Sequence, residues 1–326
     1  MPEGHSVHRI SRQFAITFVG KQISASSPQG RFTTGAARLD GHTMVASRAV
    51  GKQLFLEFDH GLTLRVHLGI YGAWDFAGDI LVDPTIAASN GRMGQTQQHG
   101  TGAVFDEAGE NSLTSIGAPR RARLRMAESE KTEAAISVFP PEPVGQVRVR
   151  LATDSAVADL RGPTACEVLT PPEVDAVLSR LGPDPLVDAG PVARERFCAA
   201  VGAKRTSIAL LLMDQSVVSG IGNVYRAELL FRARLNPHTP GNQLEPQQVG
   251  ELWDDWTVLL QRGVLTGQML TMDGLDDEAQ RRALASRADR HWVYKREGLP
   301  CRVCGTNVVM EVLGGRKLYW CPRCQN

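Results

Sequence analysis

Cys301-Arg302-Val303-Cys304 and, sixteen residues later, Cys321-Pro322-Arg323-Cys324 decide the fold of the C-terminal end. Two Cys-x-x-Cys knuckles at this spacing set four thiolates for tetrahedral zinc. A four-sulfur set closes the coordination sphere, so the expected metal is structural Zn2+, one ion per chain. Between the knuckles Val308, Val309 and Met310 lead to Gly314-Gly315, and Leu318, Tyr319 and Trp320 lead back, so β-formers flank a glycine turn. Arg316 falls at or beside the tip. A hairpin this small buries too little surface to hold itself, whereas structural zinc supplies about 10 to 16 kcal/mol. The metal then fixes where Arg316 points, toward something anionic. The same spacing also suits a knuckle that staples the C-terminus or contacts protein; a disulfide pair fits poorly with a chain that carries no mark of secretion.

The chain has 326 residues, enough for two or three domains with ample core, and its 42% hydrophobic and 22% charged content is that of an ordinary globular protein. No stretch approaches the roughly 18 apolar residues of a membrane span, and Met1-Pro2-Glu3-Gly4-His5 begins no leader peptide. These features predict a cytoplasmic protein with no membrane partner. The net charge of +1 places any polyanion-binding surface locally, and the basic residues gather late, from Arg281 through Arg323.

Working back from the knuckles, helical patterns over 195–212, 224–234 and 247–264 predict a helical domain at 188–296, with the zinc finger at 297–326. Before it, residues 1–187 are expected to form one N-terminal β-rich domain, to which the resemblance given below assigns catalysis. Val7, Ile10, Phe14 and Phe18 step along one helix face over 4–18. Short β-rich runs follow from Lys21 to Phe76, and strand character resumes at 146–151. Residues 84–143 lose periodicity and are expected to form a disordered insertion within this domain. The fold class is α+β and multidomain: an N-terminal β-sandwich with flanking helices, a helix-two-turn-helix domain, and a C-terminal four-cysteine zinc-finger β-hairpin.

Asp214 to Glu228 joins two helices through Gly220-Ile221-Gly222-Asn223. The glycines permit positive φ and close backbone approach, and Asn223 opens a helix where N–H groups and the positive dipole end can meet phosphate. A plain helix corner or a helix-hairpin-helix module would read similarly. Pro2-Glu3 at the start, this turn in the middle and Gly315-Arg316-Lys317-Leu318-Tyr319-Trp320-Cys321-Pro322-Arg323-Cys324-Gln325 at the end together resemble the formamidopyrimidine-DNA glycosylase/endonuclease VIII (Fpg/Nei) family. Within it they resemble the actinobacterial endonuclease VIII-like members. The resemblance covers the chain outside the insertion.

It implies a bifunctional DNA glycosylase/AP lyase of base-excision repair, working as a monomer on damaged DNA with no small-molecule cofactor. With Met1 removed, Pro2 would present a secondary amine with a pKa near 8, well below the roughly 10.4 of lysine. Glu3 beside it would shuttle protons. By the resemblance, Lys52 in Gly51-Lys52-Gln53 assists catalysis next to the lesion, and Asn223 and Arg316 hold the phosphates flanking an everted nucleotide. Ile70 and Tyr71 in His67-Leu68-Gly69-Ile70-Tyr71-Gly72 fill the vacated stack, and Arg161 belongs to a DNA-contacting loop. Departures from the formamidopyrimidine branch are His5, Ser6 and His8 in place of acidic residues after Glu3, no aromatic after Arg161, and Ala209 in place of a lysine. They point toward oxidised pyrimidines. An AP lyase with little base excision, or a noncatalytic damaged-DNA binder, are the alternatives.

Overall fold

The computed structural model describes residues 2–81, 115–118, 139–188 and 190–326, which divide into two compact units. The first is Met1–Ser179 with Val264–Gly267; the second is Arg180–Gly263 with Gln268–Asn326.

In the first unit, helix α1 (Gly4–Thr17) precedes two antiparallel sheets. The four-stranded sheet runs β2 (Met44–Val50), β3 (Gln53–Phe58), β4 (Thr63–His67) and β9 (Ala165–Leu169). The five-stranded sheet has the order β1 (Ser24–Ser26), β7 (Val147–Ala152), β8 (Ala156–Arg161), β5 (Ala73–Gly78) and β6 (Ser115–Gly117). A short helix α2 (Thr33–Ala37) and α3 (Pro171–Leu178) complete the unit. The predicted helix stripe is the one that is buried: Val7, Ile10, Phe14 and Phe18 are at most 1% exposed and join alternate residues of both sheets in one core. Phe14 packs edge-on to Trp74 and Phe76, with ring centroids 4.8 and 5.3 Å apart, so α1 and the five-stranded sheet share an aromatic contact.

The insertion is not wholly without regular structure. Ser115–Gly117 pairs with Ala73–Asp75 as an edge strand, where Ser115 donates to Asp75 Oδ1 at 2.5 Å; most of 84–143 lies outside the described residues.

The second unit holds α4 (Pro191–Gly202), α5 (Ile208–Leu211), α6 (Asn223–Arg232), most of α7 (Pro246–Thr266), α8 (Asp277–Ala285), and the hairpin β10 (Val309–Leu313) and β11 (Arg316–Trp320). The continuous helix expected over 195–212 is broken at 203–207, where the backbone turns to pair Ser207 with Pro240. The four-cysteine hairpin packs against the helices of this unit. Tyr319, Val308, Cys301 and Cys321 share a buried cluster with Ala227 and Phe231 of α6 and with Val293.

Candidate nucleic-acid interface and catalytic end

The first turns of α1 bury polar side chains. Glu3 and His5 are fully buried, and Ser6, His8, Arg9 and Ser11 are each at most 9% exposed. A helix end that withdraws this many polar groups from water marks a functional site more strongly than any exposed apolar residue does. Pro2 is buried just before α1, and Glu3 is the N-cap of α1 with extended backbone. Burial, with the Arg9 charge second, lowers the pKa of His5 to about 3, so its ring is neutral near pH 7. Burial also lowers Arg9 to about 10, which leaves it charged.

Helix α1 runs antiparallel to β2. The Gly20 N–H donates to the Met44 carbonyl at 2.8 Å near the helix end, and Ser47 Oγ donates to the Ser11 carbonyl at 3.0 Å further back. The N-terminal end of α1 therefore lies toward the β2–β3 turn, which carries Gly51 (φ +58°) and the half-buried Lys52. His67, opposite Gln53 on β4, has its pKa lowered to about 4 by burial and then by the Lys52 and Arg65 charges.

Next along the chain, Gly69 (φ +65°) and the Gly72 N–H bond to the Leu68 carbonyl (2.9 Å) close a tight turn. Its tip leaves Ile70 40% and Tyr71 52% exposed. Neither side chain packs in the sandwich core, as a wedge into stacked bases requires. Arg161 is placed differently from a phosphate-seeking arginine. It ends β8 with its guanidinium paired to Asp75 and hydrogen-bonded to the Val144 carbonyl. Its observed contacts hold β8 and β5 together; a direct DNA contact would require exchanging them.

In the second unit, Gly220 (φ +95°) donates its N–H to Gln215 Oε1 at 3.1 Å, and Ser219 Oγ donates to the Gly182 carbonyl at 2.7 Å. These bonds hold the turn that delivers Asn223 to the start of α6. Asn223 is 7% exposed, and its Nδ2 donates to the Lys317 carbonyl at 2.8 Å. Arg226, fully buried one helical turn on, donates to Asn223 Oδ1 at 2.5 Å and to the same carbonyl at 3.1 Å. The structure thus ties Asn223 to the residue after Arg316. Arg316 itself is exposed at the start of β11, opposite Leu313, beyond the two positive-φ residues Gly314 and Gly315. Paired positive φ is the geometry of a tight type I′ hairpin turn.

The four cysteines fit zinc. Zn–S bonds of about 2.3 Å at tetrahedral angles set sulfurs about 3.8 Å apart; Cys301 and Cys324 Sγ are 3.9 Å apart, and Cys304 and Cys321 Sγ are 3.5 Å apart. All four lie within 4.8 Å of one another. Thr306 hydrogen bonds hold Cys304 at about 6, while burial pushes Cys324 up to about 12. Crowded thiolates of this kind need a divalent cation to stay ionised. Gln325, fully buried, accepts from the Cys321 N–H at 2.8 Å and donates to the Leu235 carbonyl at 3.1 Å, which fastens the second knuckle to the chain beyond α6.

Arg226 and Glu228 escape the sequence reading. Glu228 is fully buried and accepts from the N–H groups of Trp292, Val293 and Tyr294 at 2.8, 2.9 and 2.8 Å and from Thr271 Oγ1 at 2.5 Å. Burial pushes its carboxyl up against the pull of these bonds. The three- and five-residue steps from Asn223 were the available signal, but apart from Asn223 itself the partners given above lie more than forty residues away.

Comparison with known proteins agrees with this architecture. Residues 1–130 match the formamidopyrimidine-DNA glycosylase N-terminal domain, 181–273 its H2TH domain, and 298–326 the zinc finger found in FPG and IleRS. Endonuclease 8 1 of Mycobacterium tuberculosis is 35% identical over 326 residues, covering 100% of both chains. Formamidopyrimidine-DNA glycosylase of Thermus thermophilus is 37% identical over 46% of this chain and 55% of its own length. In fold, the chain resembles the crystal structure of MutM (Fpg) from Thermus thermophilus, with a TM-score of 0.65 and 22% identity over 99% of this chain and 98% of that one. It also resembles the Lactococcus lactis enzyme solved with DNA containing an AP site, with a TM-score of 0.66 and 18% identity over 99% of each. The glycosylase N-terminal and H2TH matches, with the full-length relative, define a base-excision repair DNA glycosylase. The chain belongs to the formamidopyrimidine-DNA glycosylase/endonuclease VIII family. Among the described residues, no helix is long and apolar enough to cross a membrane.

Proposed function

We propose that the protein is a bifunctional DNA glycosylase/AP lyase that removes oxidised pyrimidines and cleaves the resulting abasic site through an N-terminal proline Schiff base. The observation that carries this reading is Pro2-Glu3 at a buried polar helix end directed toward the Lys52 turn. Full-length similarity to an endonuclease 8 supports it.

After removal of Met1, the Pro2 nitrogen attacks C1′ of the everted nucleotide. The N-glycosidic bond breaks, and its electron pair leaves with the base, which takes up a proton. Glu3 protonates the sugar ring oxygen and opens the ring, giving an iminium that is positive without further protonation. That cation acidifies the C2′ proton; its removal expels the 3′-phosphate by β-elimination, δ-elimination can follow, and water releases the enzyme. His5 is neutral and buried, so it supplies no acid near pH 7, and Lys52, at the β2–β3 turn, assists next to the lesion. Asn223 and Arg316 contact the phosphates flanking the lesion, while Ile70 and Tyr71 enter the gap. Cys301, Cys304, Cys321 and Cys324 would hold a structural zinc, which would organise the hairpin away from the bonds that break.

The test is borohydride trapping on duplexes containing an abasic site or 5-hydroxyuracil, with Pro2→Gly alongside. A covalent adduct on both duplexes, absent in Pro2→Gly, is expected. An adduct on the abasic duplex alone would reduce the activity to an AP lyase, and tight binding without an adduct would leave a damaged-DNA binder.

A further inference from the structure

The loop that exposes Ile70 and Tyr71 re-enters the sheet at Gly72-Ala73, where β5 begins, and that re-entry is gripped from two sides. On one side stands the β8–β9 turn. The Thr164 N–H donates to the His67 carbonyl at 2.9 Å, and a Cβ at Gly162 would lie 3.1 Å from the Tyr71 carbonyl oxygen. On the other side stands β6: the Ala118 N–H donates to the Gly72 carbonyl at 2.9 Å, and Gly117 pairs with Ala73.

The β6 segment has its own anchors. Ile116 and Ala118 are at most 1% exposed, and Ile116 joins the core that α1 shares with both sheets. Ser115 Oγ donates to Asp75, which also pairs with Arg161. Gly117 has φ +139°, and a Cβ there would come within 2.5 Å of both the Gly72 carbonyl oxygen and the Ala73 Cα. Both are backbone atoms, so no change of rotamer relieves the contact. A glycine therefore stands where the strand and the base of the loop touch backbone to backbone.

We propose that residues 115–118 are a positioning element for base excision: they brace the loop carrying Ile70 and Tyr71 in the conformation that enters the base stack. The inference rests on the reading of Ile70 and Tyr71 as the residues that fill the gap. Its consequence is a split between substrates. A damaged base still stacks in the duplex, so everting its nucleotide costs unstacking that the entering side chains must offset, whereas an abasic nucleotide has no base to unstack. Loosening the brace therefore slows removal of a damaged base and spares cleavage at an abasic site. Ser115 and Gly117 act through the loop and touch no reacting atom.

The test is single-turnover cleavage by the full-length protein, in excess over duplexes containing 5-hydroxyuracil or a pre-formed abasic site, for wild type, Gly117→Ala, Tyr71→Ala and the double variant. Gly117→Ala is expected to slow 5-hydroxyuracil removal about ten-fold and abasic cleavage less than about two-fold, and Tyr71→Ala to show the same split. The double variant should be no slower than the slower single one, because both changes act on one loop. Ser115→Ala loosens β6 without a backbone clash and should give the same split by a smaller factor, which keeps the test decisive if Gly117→Ala does not fold. Unchanged removal in both β6 variants, equal losses on the two duplexes, or multiplied losses in the double variant would overturn the proposal. Wild-type removal by Tyr71→Ala would overturn it together with the reading of the loop, and a wild-type protein that cleaves neither duplex would instead remove the glycosylase reading beneath both.

Discussion

The N-terminal end of α1 and the tip of the β10–β11 hairpin are held in different ways. The first rests on an apolar core: four stripe residues of one helix pack into a two-sheet sandwich, and the polar groups of Pro2-Glu3 and its neighbours are carried on that support. The second has a small shared core and depends on polar links between distant segments. These are four thiolates, the Asn223 and Arg226 bonds to the Lys317 carbonyl, and Glu228 under the 292–294 backbone. Burial of apolar surface is forgiving, because many contacts share it; a polar link fails when one partner is lost. The α1 end should therefore tolerate perturbations that disable the hairpin end.

Zinc removal tests this contrast most severely. Chelation, or Cys304→Ala, should withdraw stabilisation on the order of 10 kcal/mol from the hairpin and lower the melting of the second unit while the sandwich unit keeps its own transition. Calorimetry that showed both units melting together, or neither moving, would break the comparison. A smaller effect is expected of Glu228→Gln, which puts an amide N–H where backbone N–H groups need an acceptor. It should cost the second unit about 3 kcal/mol, read from urea unfolding, and weaken binding to abasic DNA without altering the sandwich.

The smallest effect concerns pH and the first unit. His5 has a pKa of about 3 in the fold against an ordinary 6.5, so between those values the unfolded chain binds a proton that the folded chain refuses. Stability is intact above pH 6.5 and is lost as pH falls below it, by about 1.4 kcal/mol per pH unit for this one group. Half-buried His67, lowered to about 4, adds in the same direction. Unfolding at pH 7 and pH 5 should show a shallower loss in His5→Gln than in wild type; equal losses would mean that His5 takes up its proton within the fold.

What could be read from sequence shares one property: the signal is local. The Cys-x-x-Cys pairs, the glycine pair before Arg316, the stripe from Val7 to Phe18 and the Gly-x-Gly-Asn turn each act through residues a few positions apart, where backbone geometry alone sets the outcome. Pro2-Glu3 differs from them: a Met-Pro start is common, and only the resemblance carried by the other motifs gives it a proposed role.

Other features required the chain to be folded. Arg161 reads as a loop cation until β8 sets it beside Asp75. The edge strand at Ser115–Gly117 has almost no pattern of its own and exists because β5 offers an open edge. The bonds from Asn223 and Arg226 to the Lys317 carbonyl cross more than ninety residues, and His42 meets Asp59 because β2 and β3 pair antiparallel. Motif spacing determines chemistry that a single turn or hairpin can assemble. Tertiary structure decides which buried charge meets which carbonyl, because those pairings depend on how whole elements pack.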